Sequence, residues 1–117
     1  MTEPWPVELR LKPDKHALEI AFDNGENFSL PAEYLRVESP SAEVQGHGPN
    51  QRKIVGGKRD VTIVKLEPVG NYAVRLVFAD GHETGLYTWT YLRKLGREHE
   101  RIWADYLALL DSRGLNR

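Results

Sequence analysis

Phe78-Ala79-Asp80-Gly81-His82-Glu83-Thr84-Gly85-Leu86-Tyr87-Thr88-Trp89 is the stretch on which the reading of the fold turns. Val74, Leu76 and Phe78 recur at period two, so the stretch begins where a half-buried strand ends. Asp80-Gly81 makes a tight turn that presents His82. Thr88 is placed as the N-cap of a helix whose apolar side carries Trp89, Leu92 and Leu95 at helical spacing. Gly96 follows where a helix end favours a left-handed residue.

Upstream, Val61 to Glu67 pairs with Tyr72 to Ala79, with Val64 and Leu66 facing inward and Pro68 to Asn71 as the turn. The first thirty residues read as a three-stranded meander. Val7, Leu9 and Leu11 alternate with charged residues, Pro13-Asp14-Lys15 turns the chain, and Leu18, Ile20 and Phe22 form the next apolar row. Asn24-Gly25 supplies a two-residue hairpin loop, and Phe28 and Leu30 continue the face beyond it. Pro31 fits the first turn of a short helix docked by Tyr34 and Leu35 and ended by Ser39-Pro40. Residues 39–60 hold Pro40, Gly46, Gly48, Pro49, Gly56 and Gly57 with little periodicity, and are expected to form a long excursion without regular structure.

Downstream, a last helix over about residues 97–112 carries Ile102, Trp103, Tyr106, Leu107, Leu109 and Leu110 on a broad face, and Gly114 stops it. That face is expected to cover the sheet, with self-association through it as the other reading. The expected fold is α+β. An antiparallel β-meander and a second β-hairpin are separated by a short helix and followed by two C-terminal helices packed on the sheet. One domain spans residues 1–117 at a length that supports a single core.

Sixteen basic against seventeen acidic side chains leave a formal charge of −1, so no global field draws the chain to nucleic acid or an anionic membrane. The absence of cysteine excludes disulfides, thiolate metal sites and cysteine nucleophiles. Glu3, Pro4 and Pro6 stand where a secretory leader needs a basic start and an apolar run, and no span is long enough to cross a bilayer. A cytoplasmic location is expected.

Residues 35–49, Gly57-Lys58-Arg59, Ile63 to Tyr72 with its Glu67-Pro68-Val69-Gly70-Asn71-Tyr72 turn, Asp80-Gly81-His82 and Tyr87-Thr88-Trp89 together carry a resemblance over most of the chain. The sequence resembles small bacterial members of the gamma-butyrobetaine hydroxylase-like N-terminal domain family. In other members the resemblance implies a domain that precedes a 2-oxoglutarate and iron dependent hydroxylase, or one appended to P-loop carriers of iron-sulfur assembly. The hydroxylase members it resembles hold a structural zinc on a Cys-x-Cys-x-x-Cys run and the histidine of the Asp-Gly-His turn. Here the matching positions are Ser39, Ser41, Val44 and His82. Serine hydroxyls are poor zinc ligands beside thiolate and valine offers no donor, so that zinc is expected to be lost.

His82 then has two readings. In one it is a turn histidine that fixes the loop-to-helix junction. In the other His82, Asp80 and His47 form a nitrogen and oxygen site for a divalent metal, His47 being brought near only by the loop-to-turn geometry that the resemblance implies. No other cofactor is expected. No hydroxylase domain is expected within residues 1–117, no histidine there opens a His-x-Asp or His-x-Glu triplet, and neither a Gly-x-Ser-x-Gly elbow nor a phosphate-binding loop is present. An independent enzyme is not expected.

Arg52, Lys53, Lys58 and Arg59 give the long loop a local basic bias, in a segment nearly free of acids until Asp60. They read as a solvated loop or as a grip on a phosphate or an acidic protein surface; nucleic acid is disfavoured because no aromatic residue interleaves them. The favoured function is a noncatalytic accessory or protein-interaction domain. Its partner, as the resemblance implies, is an enzyme or an iron-sulfur carrier. The alternative is a small metal-binding protein linked to iron or iron-sulfur handling.

Overall fold

A computed structural model describes residues 3–46 and 52–117. The N-terminal alternation becomes an antiparallel sheet of β1 (Pro6–Leu11), β2 (Ala17–Phe22) and β3 (Asn27–Pro31), in the order β1-β2-β3. Leu18, Ile20 and Phe22 of the central strand are buried, as period two requires. Val7 departs from the expected face. The register shifts between Pro6 and Glu8, and this bulge turns Val7 outward, where it is exposed.

Pro31 caps α1 (Ala32–Val37) from outside instead of sitting in its first turn, with ψ at 144°. The helix is fastened by Tyr34, whose hydroxyl donates to the Leu95 carbonyl at 2.8 Å. Within the excursion the sequence reading missed α2 (Ala42–Gln45), a single turn whose Ser41 side chain accepts from the Glu43 amide. Four residues are too few for periodicity to register.

The second sheet has the order β4-β5-β6, from β4 (Ile63–Val69), β5 (Ala73–Phe78) and β6 (Leu86–Thr88). The expected hairpin is therefore extended by a third strand, which lies within the stretch that opened the sequence reading. A register shift between Ile63 and Lys65 buries Ile63 and turns Val64 outward, reversing the inward placement expected of Val64. Pro68 lies inside β4 opposite Val74 rather than in the turn, which an edge strand tolerates. The turn itself is residues 70–72, with Gly70 at φ 56°.

Thr88 caps α3 (Trp89–Arg97) as expected, its side chain accepting from the Tyr91 amide at 3.1 Å. Gly96 is not a left-handed terminus. It lies within α3, and a Cβ there would stand 2.4 Å from the Phe28 ring, so its smallness is needed for close packing on β3. The last helix, α4 (His99–Ser112), ends as expected at Gly114, where φ is 65°.

The main core joins both sheets to α1 and α3 through Leu18, Leu30, Leu35, Ile63, Leu76 and Phe78 among others. Burying one such side chain contributes about 1.5–3 kcal/mol. The apolar face of α4 is divided: Ile102 and Trp103 pack against the main core, whereas Tyr106 and Leu110 form a second cluster with Val37, Ile54 and Val55. The chain is thus α+β, with two three-stranded antiparallel sheets, short helices between them and two C-terminal helices. Among the described residues no helix is long and apolar enough to cross a membrane.

Candidate functional site around the His82 turn

The turn after β5 is closed by two backbone bonds, from the Phe78 amide to the His82 carbonyl at 2.9 Å and from the Gly81 amide to the Phe78 carbonyl at 3.0 Å. Gly81, at φ 92°, takes the conformation that other residues resist. Asp80 Oδ1 accepts from the His82 amide at 3.1 Å. Its Oδ2 accepts from Arg36 Nε at 2.9 Å and Lys58 Nζ at 2.6 Å. Partial burial opposes ionisation of Asp80, but Lys58, the His82 amide and Arg36 together hold its pKa down to about 2.

His82 is 6% exposed, and both ring nitrogens are occupied. Nε2 lies 2.9 Å from Ser39 Oγ and Nδ1 lies 3.1 Å from Glu43 Oε2. A carboxylate can only accept, so Nδ1 carries the proton and Nε2 accepts from the Ser39 hydroxyl. Burial, then the charge of Arg36, lowers the histidine pKa against the opposing pull of Glu43 and Asp80. The balance favours the neutral ring.

The surrounding polar groups close on one another. Ser39 Oγ accepts the Ser41 amide at 3.2 Å, Gln45 Nε2 donates to the Ser39 carbonyl at 2.8 Å, and Ser41 Oγ meets Thr84 Oγ1 at 2.6 Å. Val44 is buried beside them at 1% exposure. The network thus ties the 39–45 segment to the turn after β5, and Ser39 is the direct link to His82.

Serine, histidine and carboxylate stand here in the order of a nucleophile, base and orienting acid. Access decides against that use. Ser39 is 0% exposed, and Gly85 lies so close that a Cβ on it would stand 2.5 Å from Ser39 Oγ. Neither Ser39 nor His82 lines the neighbouring cleft of about 760 Å³. A carbonyl carbon would need to reach about 3 Å from Oγ, and no room is left for one.

The residues expected to hold a metal are not brought together as ligands among the described residues. The Asp80 carboxylate faces Arg36 and Lys58, while Glu43 meets the His82 ring. No group of three or more histidine, cysteine, aspartate or glutamate side chains converges among the described residues. His47 lies outside the described residues.

The four loop cations separate into two kinds. Arg52 is held by Glu38 at 2.8 Å, whose carboxyl is pushed up by burial even with Arg52 beside it, and Lys58 is held by Asp80. Lys53 and Arg59 are exposed. The Lys53 amide donates to the Val44 carbonyl at 2.7 Å, which fastens the loop to α2. The large cleft runs between residues 57–61, Asp80, the end of α4 and the tail 115–117. Arg117 at its edge makes a two-pronged contact with the buried Glu33, at 3.0 and 2.7 Å, and lies over the Trp103 ring.

Sequence reasoning did not find Glu43, Arg36 or Arg117. Each acts on a residue far along the chain, and no local spacing marks such a pair.

A family model described as gamma-butyrobetaine hydroxylase-like, N-terminal, matches residues 9–93. Two structures determined in solution by NMR are similar over nearly the whole chain. One is 48% identical with a TM-score of 0.84, covering 100% of this chain and 90% of its own. The second is 44% identical with a TM-score of 0.84, covering 99% and 91%. A crystal structure of a protein with unknown function from Acidithiobacillus ferrooxidans, assigned to the DUF971 family, is 40% identical with a TM-score of 0.68, covering 81% of this chain and 98% of its own. No curated protein matches significantly.

Proposed function

The chain belongs to the gamma-butyrobetaine hydroxylase-like N-terminal family, and on that premise we propose that it is a noncatalytic accessory domain that docks on a protein partner. The observation that carries this reading is the closure of its most reactive cluster: Ser39 at 0% exposure, His82 at 6%, and every polar atom of the His82 ring already bonded. Chemistry needs an approach path, and this cluster has none. What the network does is tie residues 39–45 and Lys58 to the turn after β5.

The contact surface of this reading is the loop itself, with Arg59 exposed at the 760 Å³ cleft and Lys53 exposed beside α2, while Lys58 is paired with Asp80 and Arg52 with Glu38. An acidic partner surface fits exposed cations on a fixed loop, since the ordering cost is met before binding. The partner class is an enzyme or carrier protein of the cell interior, as the modular use of the family suggests.

The experiment is capture of partners from a native extract by the wild type and by the Lys53→Glu/Arg59→Glu double variant. These two substitutions avoid Arg52, which would set a carboxylate against Glu38 and confound binding with unfolding. A specific partner is expected to fall by about tenfold or more in the variant, with the thermal midpoint unchanged. Equal capture by both proteins, or no specific partner at all, would sink the reading.

A further inference from the structure

An aromatic corner stands apart from the loop surface and shares no lining residue with its cleft. Trp5 is 48% and Tyr72 52% exposed. The rings of Trp5 and Trp89 meet nearly edge to face, with centroids 6.5 Å apart at 70°. Together with Tyr72, Pro4, Asn71 and Glu3 they line an apolar hollow of about 360 Å³.

The corner is held from three sides. The Trp5 amide donates to Asp23 Oδ1 at 3.0 Å, and the Trp5 carbonyl accepts from the Asp23 amide at 2.8 Å, which straps the N-terminal segment to the β2–β3 hairpin. The Trp89 indole donates to the Asn71 carbonyl at 2.9 Å, and the Trp89 amide donates to the Tyr72 carbonyl at 3.1 Å. Gly70 turns the chain at φ 56°, with the Tyr72 ring 3.1 Å from where its Cβ would be. One ring bonded through its indole and two more carried on backbone that is itself held offer binding area at a reduced ordering cost.

Glu3 is the carboxylate in the wall of the hollow. Arg93, which feels the charge of Glu3, is already committed to Glu26 at 2.6 Å. The complementary occupant is flat-faced, apolar and positive at one end. We propose that the corner docks a proline-rich segment of a partner protein in the polyproline II conformation, with an arginine or lysine directed at Glu3. Pyrrolidine rings stack on aromatic faces, and the preformed helix loses little entropy on binding. Pro4 lies in the wall of the hollow with Trp5. The inference rests on the protein-interaction reading in requiring a protein partner, but it uses other residues, so the two can fail separately.

The test is titration of the 15N-labelled protein with the peptide amide Pro-Pro-Pro-Pro-Pro-Arg, following the indole N–H signals of its three tryptophans. Trp103 is the internal control, packed against Tyr34 and Tyr106 under Arg117. Saturable shifts of Trp5 and Trp89 with a still Trp103, and a dissociation constant below about 1 mM, are expected. Tyr72→Ala should weaken binding by about tenfold, and its unshifted Trp103 signal reports an intact fold. Glu3→Gln should weaken it by about threefold. The proposal is overturned by the absence of saturable shifts, by equal shifts from Ala-Ala-Ala-Ala-Ala-Arg or from arginine amide alone, or by unchanged binding in Tyr72→Ala. The Lys53→Glu/Arg59→Glu variant should bind the peptide as the wild type does, which separates this surface from the loop.

Discussion

His82 is fixed by two side-chain contacts, to Ser39 and Glu43, that the neutral ring satisfies. Its pKa lies below the ordinary histidine value because burial, reinforced by Arg36, disfavours the imidazolium. The neutral ring is therefore the native form. As pH falls through about 6.5, the unfolded chain binds a proton that the native ring does not, so stability drops from there toward the lower native pKa and is flat above that window. His99, stacked on Tyr34 at 4.2 Å, is shifted in the same direction by burial. His82→Gln is expected to lose about 1 kcal/mol at pH 8 and to show a shallower loss as pH falls below about 6.5, read from urea unfolding midpoints. An undiminished slope would mean that His82 is not held neutral. At this scale the sequence revealed the turn, because Asp-Gly-His is a local signal, but not its partners. Ser39 lies 43 positions from His82, and only the family resemblance hinted at their meeting; nothing local marked Glu43.

Elements show how far periodicity carries. The rows Leu18-Ile20-Phe22 and Val74-Leu76-Phe78 are unbroken, and both are buried as read. Val7 and Val64 were misplaced because a bulge lies beside each, and a one-residue slip sends a side chain to the other face. β6 and α2, at three and four residues, are shorter than the window that shows a period. Gly96 was read as backbone punctuation, yet its role is contact with Phe28. A helical Gly→Ala change normally stabilises by about 1 kcal/mol, but forcing a methyl into that ring costs about 1–3 kcal/mol. Gly96→Ala is therefore expected to lower stability, and Gly96→Ala/Phe28→Leu to cost less than the sum of its parts in a double-mutant cycle of unfolding free energies. Strict additivity would show that the two do not press on each other.

Across the whole molecule, the pieces are joined by long-range polar ties that no window of sequence displays. Arg117 reaches Glu33 across 84 positions, and the Gly57 amide donates to the Asn116 carbonyl at 2.8 Å, so the tail, the loop and α1 are linked. Arg117→Ala leaves the nearly buried Glu33 without its cation and is expected to cost about 1–3 kcal/mol in urea unfolding, the exposure of Arg117 keeping the loss below that of a fully buried pair. Arg117→Lys should recover only part, since lysine lacks the two-pronged geometry; an unchanged midpoint in Arg117→Ala would dismiss the tie. These ties brace the surface on which the proposed docking depends. The most direct test of that docking is lysine cross-linking mass spectrometry on the partner complex captured from native extract. The account predicts cross-links concentrated at Lys53, with few at Lys12, Lys15 and Lys65, which are also exposed but lie on or beside the sheets. Cross-links spread evenly over all four, or gathered at the sheet lysines while Lys53 stays unmodified by the partner, would contradict it.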